Sequence, residues 1–115
     1  MSSGIRIKDP VVKNADIEKV AEVFIEGGFD VASVALTARA LVINARAAVD
    51  QCEGKVCGPY DFAVKITDSS TIEVRWQFLS PRDYYHIDTF HADVRARLLE
   101  QAAKAWQLYL ARLEG

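Results

Sequence analysis

Apolar and polar positions alternate most clearly between Phe62 and Phe78. Phe62, Val64 and Ile66 take turns with Ala63, Lys65 and Thr67. After Asp68-Ser69-Ser70, Ile72, Val74, Trp76 and Phe78 take turns with Glu73, Arg75 and Gln77. Period-two alternation on both sides of a short polar turn predicts an antiparallel β-hairpin with one apolar and one solvated face. The apolar face needs a cover, which a helix packed on it would supply.

The rest of the chain reads mainly as helix. Ile5 and Ile7 alternate with Arg6 and Lys8, a short N-terminal strand pattern that Asp9-Pro10 interrupts. Asn14 is the expected N-cap of a first helix, with Asp16 in its first turn. Ile17, Val20, Ala21 and Phe24 follow at helical spacing, and Gly27-Gly28 stops the helix. Its outward residues Glu18, Glu22 and Glu26 make it acidic. Asp30 is the expected cap of a second helix, with Val31, Val34, Ala35, Ala38, Leu41, Val42, Ala45 and Val49 on one stripe. Seven alanines between Ala32 and Ala48 favour that helix, since alanine has the best helix propensity.

Gly54, Gly58 and Pro59 mark a loop, and Ser80-Pro81-Arg82-Asp83 reads as a helix start with serine as cap and proline at the first position. Ile87, Phe90, Val94, Leu98, Ala102, Ala105, Trp106, Tyr109, Leu110 and Leu113 mark its inner side. Such a helix of ~30 residues would span ~45 Å, against a radius of gyration of ~13 Å for a domain of this size. A break at Asp88-Thr89 or packing on a second copy would resolve that, and the second is favoured. The expected fold is therefore α+β in the order α-α-β-β-α: two N-terminal helices, one antiparallel hairpin and a long C-terminal helix.

A length of 115 residues suits a single domain, 1–115, and no repeat or linker divides it. Fourteen basic against sixteen acidic side chains leave a net charge of −2, which gives no general attraction to nucleic acid or to an anionic membrane. No apolar run approaches the ~20 residues that cross a bilayer. The first residues, Met1-Ser2-Ser3-Gly4-Ile5-Arg6, lack a basic stretch followed by an apolar core. A soluble, cytoplasmic protein is the expectation. Cys52 and Cys57 would close only a very small loop, and are expected as reduced thiols.

Candidate chemistry gathers between Trp76 and Asp93. Asp83 and His86, and again Asp88 and His91, are three apart, so on a helix each imidazole has a carboxylate neighbour. That pairing raises the proton affinity of histidine and would serve a small hydrolase or nuclease-like enzyme. The same spacing is common in surface salt bridges, and that reading outweighs catalysis. Cys52, Cys57, His86 and His91 are zinc-ligand types, but His86 and His91 stand about 140° apart round a helix, so no metal or other cofactor is assigned. Recognition accounts better for the stretch, because Trp, Tyr, Arg and His bury area while keeping a polar handle. Trp76, Arg82, Tyr84, Tyr85, His86 and His91 are the expected contact residues. The expected function is a non-enzymatic, homo-oligomeric binding protein that regulates or inhibits another macromolecule, with room for a small ligand between subunits. The basic residues Arg95, Arg97, Lys104 and Arg112 are interleaved with Asp93 and Glu100, a solvated pattern that could also meet the acidic first helix.

Overall fold

The alternation between Phe62 and Trp76 is one half of a larger sheet. A computed structural model describes residues 10–47, 60–67, 71–77, 79–80, 82 and 92–114. Among these, α1 (Pro10–Lys13) and α2 (Ile17–Glu26) precede strands β1 (Asp30–Leu36), β2 (Leu41–Ala47), β3 (Tyr60–Ile66) and β4 (Ile72–Trp76), and α3 (Ala92–Glu114) follows. The strands form one antiparallel sheet in the order β1-β2-β3-β4, a meander in which every neighbour in space is a neighbour in sequence.

The expected second helix is therefore corrected: its residues 30–47 are two paired strands. In β2, Leu41, Ile43, Ala45 and Ala47 are buried, while Val42, Asn44 and Arg46 point the other way. In β1, Val31 pairs with Ala45 and Ser33 with Asn44, so Ala32 is an extra residue, a β-bulge. The bulge returns Val34 to the side of Val31, and both pack on the core. An inward spacing of three residues, followed by an apolar Val42 on the outer face, imitates the stripe of a helix.

The hairpin forms as its pattern predicts. Phe62 pairs with Trp76, Val64 with Val74 and Ile66 with Ile72 on one face, and Ala63 with Arg75 and Lys65 with Glu73 on the other. Leu41 and Ile43 extend the apolar face by pairing with Ile66 and Val64. The short strand expected at Ile5–Ile7 lies outside the described residues.

Helix α2 is set by its ends. Asp16, not Asn14, is the N-cap: its carboxylate accepts from the backbone N–H groups of Glu18 and Lys19 at 3.1 and 3.3 Å. At the other end Gly28 takes φ +96°, Phe29 N–H donates to the Phe24 carbonyl at 3.0 Å and Gly28 N–H to the Ile25 carbonyl at 3.0 Å. This is a Schellman stop, with its usual apolar clasp in the Phe24 and Phe29 rings, centroids 5.3 Å apart. The positive φ favours glycine there, and a Cβ on Gly28, 2.9 Å from Gln101 Nε2, would in addition displace the end of that side chain.

Helix α3 covers the sheet. It packs against β4 and α2, and its inward Ala102, Ala105, Trp106 and Tyr109 join Val20, Val23 and Phe24 of α2 over the apolar face. Trp106 and Tyr109 stack at 5.0 Å, and the Tyr109 hydroxyl accepts from Asp16 N–H at 3.1 Å. Gln101 donates to the Gly27 carbonyl at 2.6 Å, at the opposite end of α2. Of the longer helix expected from Ser80 onwards, Ala92–Glu114 is seen as one element of 23 residues and Arg82 is helical. Residues 83–91 lie outside the described ones.

The strand assignment of β1 has an opposite-signed consequence from a helical one. Ala35 is exposed on the outer face, opposite Val42. Ala35→Thr should raise stability by up to about 1 kcal/mol, because threonine favours strands. In a helix the same change would cost roughly 0.5 kcal/mol. Urea unfolding midpoints decide between them.

Candidate functional site

Both longer helices lie on one side of the sheet, and among the described residues no element covers the other. That open face carries a shallow depression of about 700 Å³, bordered by the turn Thr37–Ala40, by Val42, Ala63, Lys65 and Arg75, and by Trp76 and Gln77. Its charged residues are all basic: Arg39, Lys65 and Arg75.

Each is positioned by local structure. Arg39 rides on the β1–β2 turn, which Thr37 staples: its hydroxyl accepts from the N–H groups of Arg39 and Ala40 at 3.2 and 2.9 Å and donates to the Ala40 carbonyl at 3.0 Å. A threonine that satisfies its own turn in this way holds the next residues out to solvent. Lys65 stands opposite Val42 on β2 and Glu73 on β4. Arg39 and Lys65 have no carboxylate within ion-pair distance among the described residues. Arg75 touches Glu73 at 3.9 Å, the two side chains being 65% and 53% exposed, so that contact neutralises it little. Between the bases lies an apolar floor: Val42 is half-buried and Ala63 only 6% exposed. Arg46 of the same face is satisfied separately, by Asp61 at 3.2 Å.

Of the residues expected to make contacts, Trp76 and Arg82 are among the described ones. Trp76 ends β4 with 4% exposure, its ring edge-on to Tyr60 and Phe62 at 6.3 Å on the core side. It borders the depression, yet its indole is core. Its Nε1–H is buried and has no acceptor among the described residues. Arg82 is exposed. Tyr84, Tyr85, His86 and His91 lie outside the described residues, as do Asp83, Asp88, Cys52 and Cys57, so neither the acid–histidine pairs nor the zinc-ligand set is seen. Among the described residues no three His, Cys, Asp or Glu side chains converge as a metal site. Sequence reasoning left Arg39, Lys65 and Arg75 out. Lys65 and Arg75 were legible as the wet face of the hairpin. Arg39 was hidden by the helical assignment of its turn.

A second, smaller cleft of about 150 Å³ lies between α2 and α3, bordered by Lys19, Glu22, Tyr109 and Arg112. Beside it Arg112 grips Glu26 with two hydrogen bonds of 2.7 and 2.9 Å, so the last helix does meet the acidic first one, within the same chain. The Arg112 hydrogen bond holds the Glu26 carboxyl below the ordinary glutamate range, and the same bond raises the guanidinium.

Among the described residues no helix is long and apolar enough to cross a membrane. Comparison with protein-family models, with curated proteins and with solved structures gave no match to the chain.

Because the folded Glu26 ionises at lower pH than the unfolded one, its pairing contributes stability above the ordinary glutamate range and loses it as pH falls through the folded value. Glu26→Gln should therefore be less stable than the wild type at neutral pH. The two unfolding midpoints should converge in acid, below the ordinary glutamate range. A gap that persists there would show that the charge is not its source.

Proposed function

We propose that the protein is a non-enzymatic interaction protein, self-associating, that regulates or inhibits another macromolecule by docking an acidic segment of it on the open face of the sheet. One observation supports this above the others: in a chain of net charge −2, the charged residues that edge the depression are, among the described residues, Arg39, Lys65 and Arg75, with Glu73 beside the last two. A small apolar floor inside a charged rim is the usual anatomy of a contact surface. The rim supplies attraction and orientation, and the floor supplies area to desolvate. Among the described residues the face carries no exposed aromatic ring on which single-stranded bases could stack, since Tyr60, Phe62 and Trp76 all turn to the core side. An acidic protein surface therefore fits this face better than nucleic acid does.

The test compares the wild type with Arg39→Gln/Lys65→Gln, a variant that removes charge while leaving the strands paired. Partners retained by immobilised protein at low salt are identified, and their affinity is then measured by calorimetry. An acidic protein should bind, with an affinity that falls as ionic strength rises. The variant should bind it about threefold to thirtyfold more weakly, as expected for two exposed charges. Equal binding by both proteins, or binding indifferent to salt, would rule the face out.

A further inference from the structure

Helix α2 presents a surface that complements the open face. Val20, Val23 and Phe24 turn to the core, and Glu18, Glu22 and Ile25 are exposed along one stripe, Glu22 also bordering the cleft beside Arg112. Ile25, about one turn beyond Glu22, is 56% exposed and lies outside the core cluster. The open face offers the Val42 and Ala63 floor within a rim of Arg39, Lys65 and Arg75, with Glu73 beside the last two.

We infer that the open sheet face receives the Glu18–Glu22–Ile25 ridge of α2 from a second copy of this chain. The spacing agrees. Glu18 and Glu22 are one turn apart, ~6 Å along the helix axis. Lys65 and Arg75 are diagonal neighbours across β3 and β4, ~7–8 Å apart. Two carboxylates of the ridge meet two cations of the rim while Ile25 covers the alanine and valine floor. Arg39, on its stapled turn, closes the rim beyond Lys65. Glu26 lies off this ridge and stays with Arg112 of its own chain.

Ridge and face lie on opposite sides of the molecule, because α2 sits on the buried face of the sheet. The contact is therefore head-to-tail. Each copy gives its ridge to one neighbour and its face to another, which builds a ring or an open stack rather than a closed two-fold dimer. A ten-residue helix covers less than a standard interface, so the association belongs to the weak class, below about 1,200 Å² in total. Such an interface is governed by concentration and by salt.

This inference rests on the reading of the open face as a binding surface, but it fails separately. Sedimentation velocity over a concentration series at low and high salt is run on the full chain and on two variants, Glu18→Lys/Glu22→Lys and Arg39→Glu/Lys65→Glu. Circular dichroism and unfolding midpoints confirm that both are folded. The wild type should associate with rising concentration, and salt should disperse it. Each variant alone should associate about tenfold more weakly or not at all. Mixing the two variants should restore assembly, because each then finds its reversed counterpart on the other. A wild type that stays monomeric at low salt overturns the inference, as does a variant that associates like the wild type. A mixture that stays dispersed overturns it too. Should either variant fail to fold, the neutral Glu18→Gln/Glu22→Gln and Arg39→Gln/Lys65→Gln proteins replace the pair, and loss of association in each is then required. Capture of an acidic partner by a monomeric wild type would leave the binding reading standing without the second copy.

Discussion

Trp106 and Tyr109 occupy the position on which the remaining structure depends. A four-stranded sheet with alternating strands has one face that water must leave, and β1–β4 bring Leu41, Ile43, Phe62, Val64, Ile66, Val74 and Trp76 to that face. A large side chain of this kind contributes roughly 1.5–3 kcal/mol when fully buried, but only if something closes over it. Helix α2 is too short to do so alone. The stacked pair on α3 completes the cover, and the Tyr109 hydroxyl finds its partner in the backbone at the start of α2. The ring series Phe24, Phe29 and Phe62 joins helix to sheet from the other side, through the same Schellman stop that ends α2. Cap, stop and cover are one arrangement.

How much of this could be read in advance follows from which signals are local. The hairpin of β3 and β4 was legible because its two faces differ in every residue pair except Ala63. The stop of α2 was legible from Gly27-Gly28, and its cap was misplaced by two residues because Asn14 and Asp16 are both good caps. Strands β1 and β2 were not legible as strands. The bulge at Ala32 sets two inward valines three apart, Val42 puts an apolar side chain on the outer face, and alanines raise helix propensity throughout. Pairing with β3 is a long-range effect that overrides all three, and no window of the sequence displays it. The open face suffered from the same error. With residues 30–47 taken as a helix, Lys65 and Arg75 faced solvent on a lone hairpin, and nothing set Arg39 or Val42 beside them.

The distribution of charge gives the molecule a polarity that its near-neutral total conceals. Carboxylates gather on the outward side of α2, and on the open sheet face Arg39 and Lys65 stand without an ion-pair partner among the described residues. Pairs such as Arg46–Asp61 and Glu26–Arg112 cancel within the chain and add little to the field outside.

Strand order that follows sequence order also governs when this protein is vulnerable. Each strand finds its neighbour within one loop, so the sheet can form early, from contacts of short range. Its cover cannot: Asp16 and Tyr109, whose bond joins the first long helix to the last, are 93 residues apart. During synthesis the strands emerge before the residues that complete their cover, so α2 is the one long helix available to the apolar face until α3 follows. The cover that α3 completes comes after the sheet that it protects.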